Sequence, residues 1–250
     1  MTVVLDLFFW VGFPYIALTV FVGGLVWRYS SDPYGWTSKS SEILEKRWLA
    51  WGNVLFHYGL VGVVVGHVMG LLIPPTVDAQ LGLSTGTYHA VALYGGGASG
   101  GMALAGLVIL TIRRVGIKRV RVSSTPSDFL TLGLLLGVMG LGMADTVGYT
   151  VMFGPYDYRD TIGAWFRGLV TLSPDASLMA SAPLSFQVHV LAGLTFFMLL
   201  PFTRLVHMFS VPFHYLNRKL IVFRSRHAGR PPAGPSGEPS VSAENWSGEP

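Results

Sequence analysis

The sequence predicts an all-α membrane protein of five transmembrane helices, with the N-terminus outside and the C-terminus in the cytoplasm. Three observations carry that prediction. Of the 250 residues, 51% are hydrophobic and 12% are charged, and the mean hydropathy is +0.51, too apolar for a soluble domain of this length. Five apolar stretches each reach the roughly 20 residues needed to cross a hydrocarbon core about 30 Å thick. Lys and Arg collect in alternate connections between those stretches.

The first stretch, residues 4 to 27, runs through Phe8, Phe9 and Trp10 to Trp27. It has no basic leader or small-residue cleavage site and is too long for the apolar core of a cleaved signal, so it reads as a retained span. Residues 49 to 73, 88 to 112, 128 to 152 and 185 to 209 follow as the other spans. Between the last two, residues 155 to 175 are expected to hold an amphipathic stretch at the membrane interface, anchored by Trp165 and Phe166. No internal repeat or second soluble domain interrupts residues 1 to 227, which read as one membrane domain. Residues 228 to 250 turn to Pro, Gly, Ser and Glu, a composition that cannot bury enough apolar surface to fold, so a disordered tail is expected.

Orientation follows from the basic residues, which cytoplasmic flanks retain. Arg28, Lys39, Lys46 and Arg47 lie in the first connection, and Arg113, Arg114, Lys118, Arg119 and Arg121 in the third. Arg204, Arg218, Lys219, Arg224, Arg226 and Arg230 lie at the C-terminal end. Only Arg159 and Arg167 fall on the other side. The net charge of +4 is therefore topological and does not form the aromatic-interleaved basic face of a nucleic-acid binder.

The chain has no Cys, which excludes disulfides, cysteine-bound iron-sulfur clusters and covalent c-type haem. Four histidines sit inside apolar segments: His57 and His67 in the second span, His189 and His207 in the fifth. The second span runs outward, so His57 lies in its inner half and His67 about 15 Å further out. The fifth runs inward, with His189 near the outer surface and His207 about five turns, or about 27 Å, deeper on the same helix face. Depth pairs His67 with His189 and His57 with His207, the arrangement that holds two bis-histidine haems stacked across a bilayer. The unequal offsets require tilt or bend, and Pro201 is the expected bend.

A plainer reading makes these histidines hydrogen-bonding glue between helices. Ionisable groups within spans are rare and usually functional, and four of them matched by depth favour haem. Other metals fit less well, since no Asp or Glu lies near these histidines in sequence. Gly52, Gly59, Gly62, Gly66 and Gly70 line the second span, with Gly95, Gly96, Gly97, Gly100 and Gly101 in the third. Room for a flat cofactor and close helix packing both explain such glycines.

The strings LFHYG, VVVGHVMGLLIP, YGGGASG, FQVHVLAG and FTRLVHMFSVP closely resemble the gamma subunit family of membrane-bound respiratory nitrate reductase, a five-span dihaem cytochrome b. The resemblance covers roughly residues 5 to 227. It implies that His57, His67, His189 and His207 ligate the irons of two b haems in the pairing above, the outer haem near a quinol site. It also implies a cell-membrane subunit that oxidises quinol and passes electrons to a cytoplasmic iron-sulfur beta subunit beside a molybdenum catalytic alpha subunit. One departure concerns a basic residue that some members carry just before the third span, replaced here around Tyr88 and His89.

Tyr88 and His89 begin the third span at its outer end, where one is expected to hydrogen-bond a quinol oxygen and the other to accept a proton. An interfacial, water-facing His89 explains the residue equally well. Asp145 reads as a solvated helix end, with proton transfer outward as the alternative. Arg204, one turn before His207, is placed to pair with a haem propionate, although inner-flank charge alone accounts for it. His214 and His227 read as exposed, while Tyr29, Tyr34 and Trp36 mark either a partner surface or the membrane interface. The competing functions are a quinone-linked anchor of another reductase, for sulfur compounds or heterodisulfides, and a haem-free membrane anchor or proton channel.

Overall fold

The computed structural model describes residues 2–32, 35–36 and 40–209, and every regular element among them is helical. Tyr34, His214, His227 and the tail after residue 227 lie outside the described residues. In chain order the helices are α1 (Val3–Ser31), α2 (Arg47–Leu72), α3 (Pro75–Gln80), α4 (Thr85–Gly116), α5 (Lys118–Val122), α6 (Pro126–Phe153), α7 (Ile162–Val170), α8 (Ala176–Ala180) and α9 (Leu184–Phe202). Helices α1, α2, α4, α6 and α9 are long and apolar enough to cross a membrane, as predicted.

The fifth span differs from its expected form. Its α-helix stops at Leu199, Leu200–Phe202 tightens into a 3-10 turn, Thr203 is extended at φ −113° and ψ 175°, and a separate 3-10 segment covers Arg204–Phe209. Pro201 supplies the reason, because it has no N–H for the ladder and its ring crowds the carbonyl four residues back. His189 and His207 therefore do not share one face of a continuous helix, and the offset reckoned at helical rise does not apply.

Helices α2 and α4 form the tightest seam. A Cβ on Gly59 would collide with the Ala103 amide nitrogen, and one on Gly106 with the Phe56 amide nitrogen, so small residues here let two backbones meet. Gly62 packs on Ser99 and Gly52 on Leu110. Most of the α2 glycines thus serve packing, whereas nothing lies within 4 Å of a Cβ built on Gly66, beside His67.

At the end away from the basic loops, α7 packs into the bundle instead of lying on its surface. Trp165 is 2% exposed and meets Trp10 edge to face at 6.3 Å, which corrects its expected role as an interfacial anchor. Phe166 is partly buried against the same cluster. Beside it, Arg159 is buried and its guanidinium reaches Asp78 at 2.8 Å and Asp157 at 2.6 Å. At the basic end, buried Arg113 donates to Glu45 Oε2 and to Ser41 Oγ, holding the loop before α2 against α4.

Candidate functional site

Three of the four span histidines are fixed in the same way. Nδ1 of His57 lies 2.9 Å from the Asn53 carbonyl, that of His67 2.8 Å from the Val63 carbonyl, and that of His207 2.7 Å from the Arg204 carbonyl. A carbonyl only accepts, so Nδ1 carries the proton in each, and in His57 and His67 Nε2 is the nitrogen with a lone pair for a ligand. Backbone carbonyls orient metal-binding imidazoles in this manner.

The rings of His67 and His189 come together with centroids 6.2 Å apart and planes inclined at 42°. Two imidazoles bound to one metal from opposite sides place their centres about 6 Å apart, given about 2 Å per metal–nitrogen bond and about 1 Å from nitrogen to ring centre. His189 is positioned by α6: a Cβ on Gly142 would stand 3.0 Å from its Cε1. Its Nδ1 is buried without a well-formed hydrogen bond, and the Val138 backbone is the group that approaches the ring. The donor set and spacing fit an iron held between two histidines, with no carboxylate competing in any cluster of three or more metal-binding side chains among the described residues.

His57 and His207 are drawn to one region through their neighbours. Phe56, Leu107 and Leu135 form a core cluster against which Leu205 packs. Arg204 Nε lies 3.1 Å from Asp128 Oδ1, and Arg114 Nη1 lies 3.3 Å from Asp128 Oδ2. Asp128 also caps α6 by accepting from the Thr125 amide at 2.8 Å. One buried carboxylate thus joins α4, α6 and the segment carrying His207.

At the opposite end, Tyr88 and His89 separate in role. Tyr88 is 6% exposed, its hydroxyl is 2.9 Å from that of Tyr158, and the Arg159 guanidinium lies 3.7 Å over its ring. His89 lines a cleft together with Asp145, Thr146, Tyr156, Tyr158 and Phe186, and its Nε2 is 3.7 Å from Asp157 Oδ2. The Arg159 hydrogen bonds hold the Asp157 carboxyl below the usual carboxylate range, and burial raises the Tyr158 hydroxyl. Gly70 brings this group close to α2: a Cβ there would press on the Tyr158 ring and stand 2.9 Å from Tyr88 Oη.

Asp145 corrects an expectation. It is 5% exposed, not a solvated helix end, and both carboxyl oxygens are buried without a well-formed hydrogen bond, the Ser185 hydroxyl being the donor that approaches them. The cause is a π-helical turn over Ala144–Tyr149, whose extra residue changes the direction of the side chains that follow from α-helical spacing. Asp78, Asp157, Tyr158 and Arg159 were not apparent from sequence reading. The signal available for them was Arg159 itself, a basic residue on the side that otherwise lacks them. In the first connection, Tyr29 and Trp36 meet edge to face at 6.0 Å, which leaves their partner or interface role open.

A family model described as nitrate reductase gamma subunit matches residues 6–226. The nitrate reductase gamma chain of Bacillus subtilis is 53% identical over 217 residues, which is 87% of this chain and 97% of that one. The respiratory nitrate reductase 1 gamma chain of Escherichia coli is 36% identical over 225 residues, 89% of this chain and 99% of that one. A nitrate reductase-like protein of Mycobacterium tuberculosis, NarX, is 43% identical over 220 residues, which cover 87% of this chain and 34% of that longer protein. With a family match along nearly the whole bundle and relatives matched almost end to end, this multi-pass membrane protein belongs to the nitrate reductase gamma subunit family.

Proposed function

We propose that the chain is the haem-binding, quinol-oxidising membrane subunit of a respiratory nitrate reductase, conveying electrons across the bilayer to a cytoplasmic iron-sulfur beta subunit and its molybdenum-containing alpha partner. The single observation that carries this reading furthest is the 6.2 Å spacing of the His67 and His189 rings, in a family whose relatives are nitrate reductase subunits. His67 and His189 would hold one b haem, and His57 and His207 the other. Haem b, when bound, supplies a one-electron iron couple. The distribution of Lys and Arg supports an N-terminus outside and a C-terminus inside, which puts the His67 and His189 pair near the outer surface.

The remaining chemistry belongs to side chains. The carbonyls of Asn53, Val63 and Arg204 fix the imidazole tautomers, and Gly142 leaves room for the His189 ring. Arg204, drawn toward Asp128, presents positive charge beside the inner pair, where a propionate would be neutralised. The cleft bearing His89 would receive the quinol head group at the outer end. His89 would accept a hydroxyl proton and Asp157, 3.7 Å away, would stabilise the imidazolium. Tyr158 lines this cleft, and the hydroxyl pair it makes with Tyr88 would orient a quinol oxygen. Protons released there would leave on the outer side.

The test is a reduced-minus-oxidised spectrum with a pyridine haemochrome count on the purified complex, in wild type and in His67→Ala and His57→Ala. Two b haems are expected in wild type, with each substitution removing chiefly one. A correctly inserted complex without haem overturns the reading.

A further inference from the structure

We propose that Asp145 is the acceptor of a quinol hydroxyl proton, its carboxylate and the neighbouring Ser185 hydroxyl together gripping one oxygen of the head group. This rests on the reading of the cleft as a quinol site and adds a catalytic residue to it. Asp145 is 5% exposed, and neither of its oxygens has a well-formed hydrogen bond; the buried Ser185 hydroxyl is the donor that approaches it. A buried carboxylate with one loosely placed hydroxyl as its donor is under-satisfied by several kcal/mol, so a fold that retains one calls for a further donor from outside. A phenolic hydroxyl supplies one. Its O–H donates to the carboxylate, while its lone pair accepts from Ser185.

The surroundings select a flat aromatic ligand. Asp145 lines the same cleft as His89, and Tyr156 and Phe186 form an aromatic wall with centroids 5.1 Å apart. The π-helical turn over Ala144–Tyr149 directs the side chain, and such turns recur at functional sites. Gly142, which carries the His189 ring, lies one turn away on α6, about 4.5 Å in axial rise. A head group gripped by Asp145 is therefore close to the outer histidine pair. The cleft is not a metal site, since the described residues contain no group of three or more His, Cys, Asp or Glu that could hold one.

The step moves one proton and no electrons. The quinol O–H breaks, an O–H forms on Asp145, and the negative charge passes from the carboxylate to the quinol oxygen. The resulting quinolate is the more readily oxidised form, and Asp145 returns its proton through the cleft, where His89 and the partly exposed Asp157 lead outward.

The assembled complex tests this in wild type, Asp145→Asn and Asp145→Glu. Heptyl hydroxyquinoline N-oxide, whose fluorescence is quenched on binding, reports occupancy of the site. Infrared difference spectra on adding a soluble naphthoquinol report carboxyl protonation. The expected result is a new carbonyl stretch of a protonated carboxylic acid in wild type, absent in Asp145→Asn. Quinol oxidation by Asp145→Asn should fall by about 10²-fold or more, with haem content kept and nitrate reduction from a viologen donor unchanged. Asp145→Glu should recover part of the rate. Failure of the probe to bind wild type defeats the quinol reading itself. Probe binding in wild type with no carboxyl band there, or with quinol oxidation in Asp145→Asn within about twofold of wild type, overturns the role of Asp145 alone. If Asp145→Asn fails to assemble, a shift of the wild-type carboxyl band in Asp145→Glu assigns it to residue 145, and an unshifted or absent band overturns the role.

Discussion

The indole N–H of Trp165 donates to the carbonyl of Trp10 at 2.7 Å, within the π-helical turn Phe8–Gly12 of α1. The bond ties helix α7 to the first span. Trp165→Phe keeps the ring and removes the donor, leaving a buried carbonyl unsatisfied. Thermal unfolding in detergent should show a loss of about 1–3 kcal/mol.

Arg159 joins α3 to the loop before α7 through Asp78 and Asp157 and covers the Tyr88 ring. Asp78→Asn leaves the buried guanidinium with one carboxylate instead of two and should cost about 2 kcal/mol. Asp157 sets the pH dependence. Its pKa is lowered in the fold, so its contribution is fully present above the unfolded value of about 3.9 and disappears as pH falls through the lower folded value. The melting temperature should stay level through mild acid and drop below about pH 4. Asp157→Asn should flatten that acid limb, and an unchanged limb counts against the assignment.

Gly142 gives the imidazole of His189 its place on α6, with a hypothetical Cβ already 3.0 Å from Cε1. Gly142→Val adds two γ-carbons against a ring that cannot withdraw without leaving His67. On the proposed two-haem reading, one haem should be lost, halving the α-band amplitude, while Gly142→Ala should shift the spectrum of the haem held by His67 and His189 with smaller loss. Full haem content in Gly142→Val would separate the ring position from ligation.

The spans were legible because about 20 consecutive apolar residues have few alternatives to a bilayer, and the basic loops framed them. His67 and His189 were legible as a pair because depth can be counted at constant rise along continuous helix. The same counting failed beyond Pro201, where His207 sits on a separate 3-10 segment. Asp145 escaped because a π-helical turn changes direction without a sequence signature of its own. Trp165 was misplaced since a short amphipathic helix carries the same pattern whether its apolar face meets lipid or protein. The Arg159 cluster was hidden by distance, its partner Asp78 being 81 positions away.

Asp128 offers a selective handle on the inner histidine pair. Its carboxylate accepts from the Thr125 amide, and it pairs with Arg114 and Arg204 while nearly buried. Asp128→Asn weakens the α6 cap by about 1 kcal/mol and also releases Arg204, whose carbonyl orients His207 at 2.7 Å. Loss of the ion pairs frees the Arg204–Phe209 segment from α4 and α6, so on the proposed two-haem reading the damage should fall on the haem of His57 and His207, the inner one, and spare the outer one. Potentiometric titration of the two b haems distinguishes them: the inner should diminish or shift in Asp128→Asn, and the outer should keep its midpoint. Equal loss of both haems would make Asp128 a general stabiliser of the bundle, since only a local role in holding the His207 segment predicts the asymmetry.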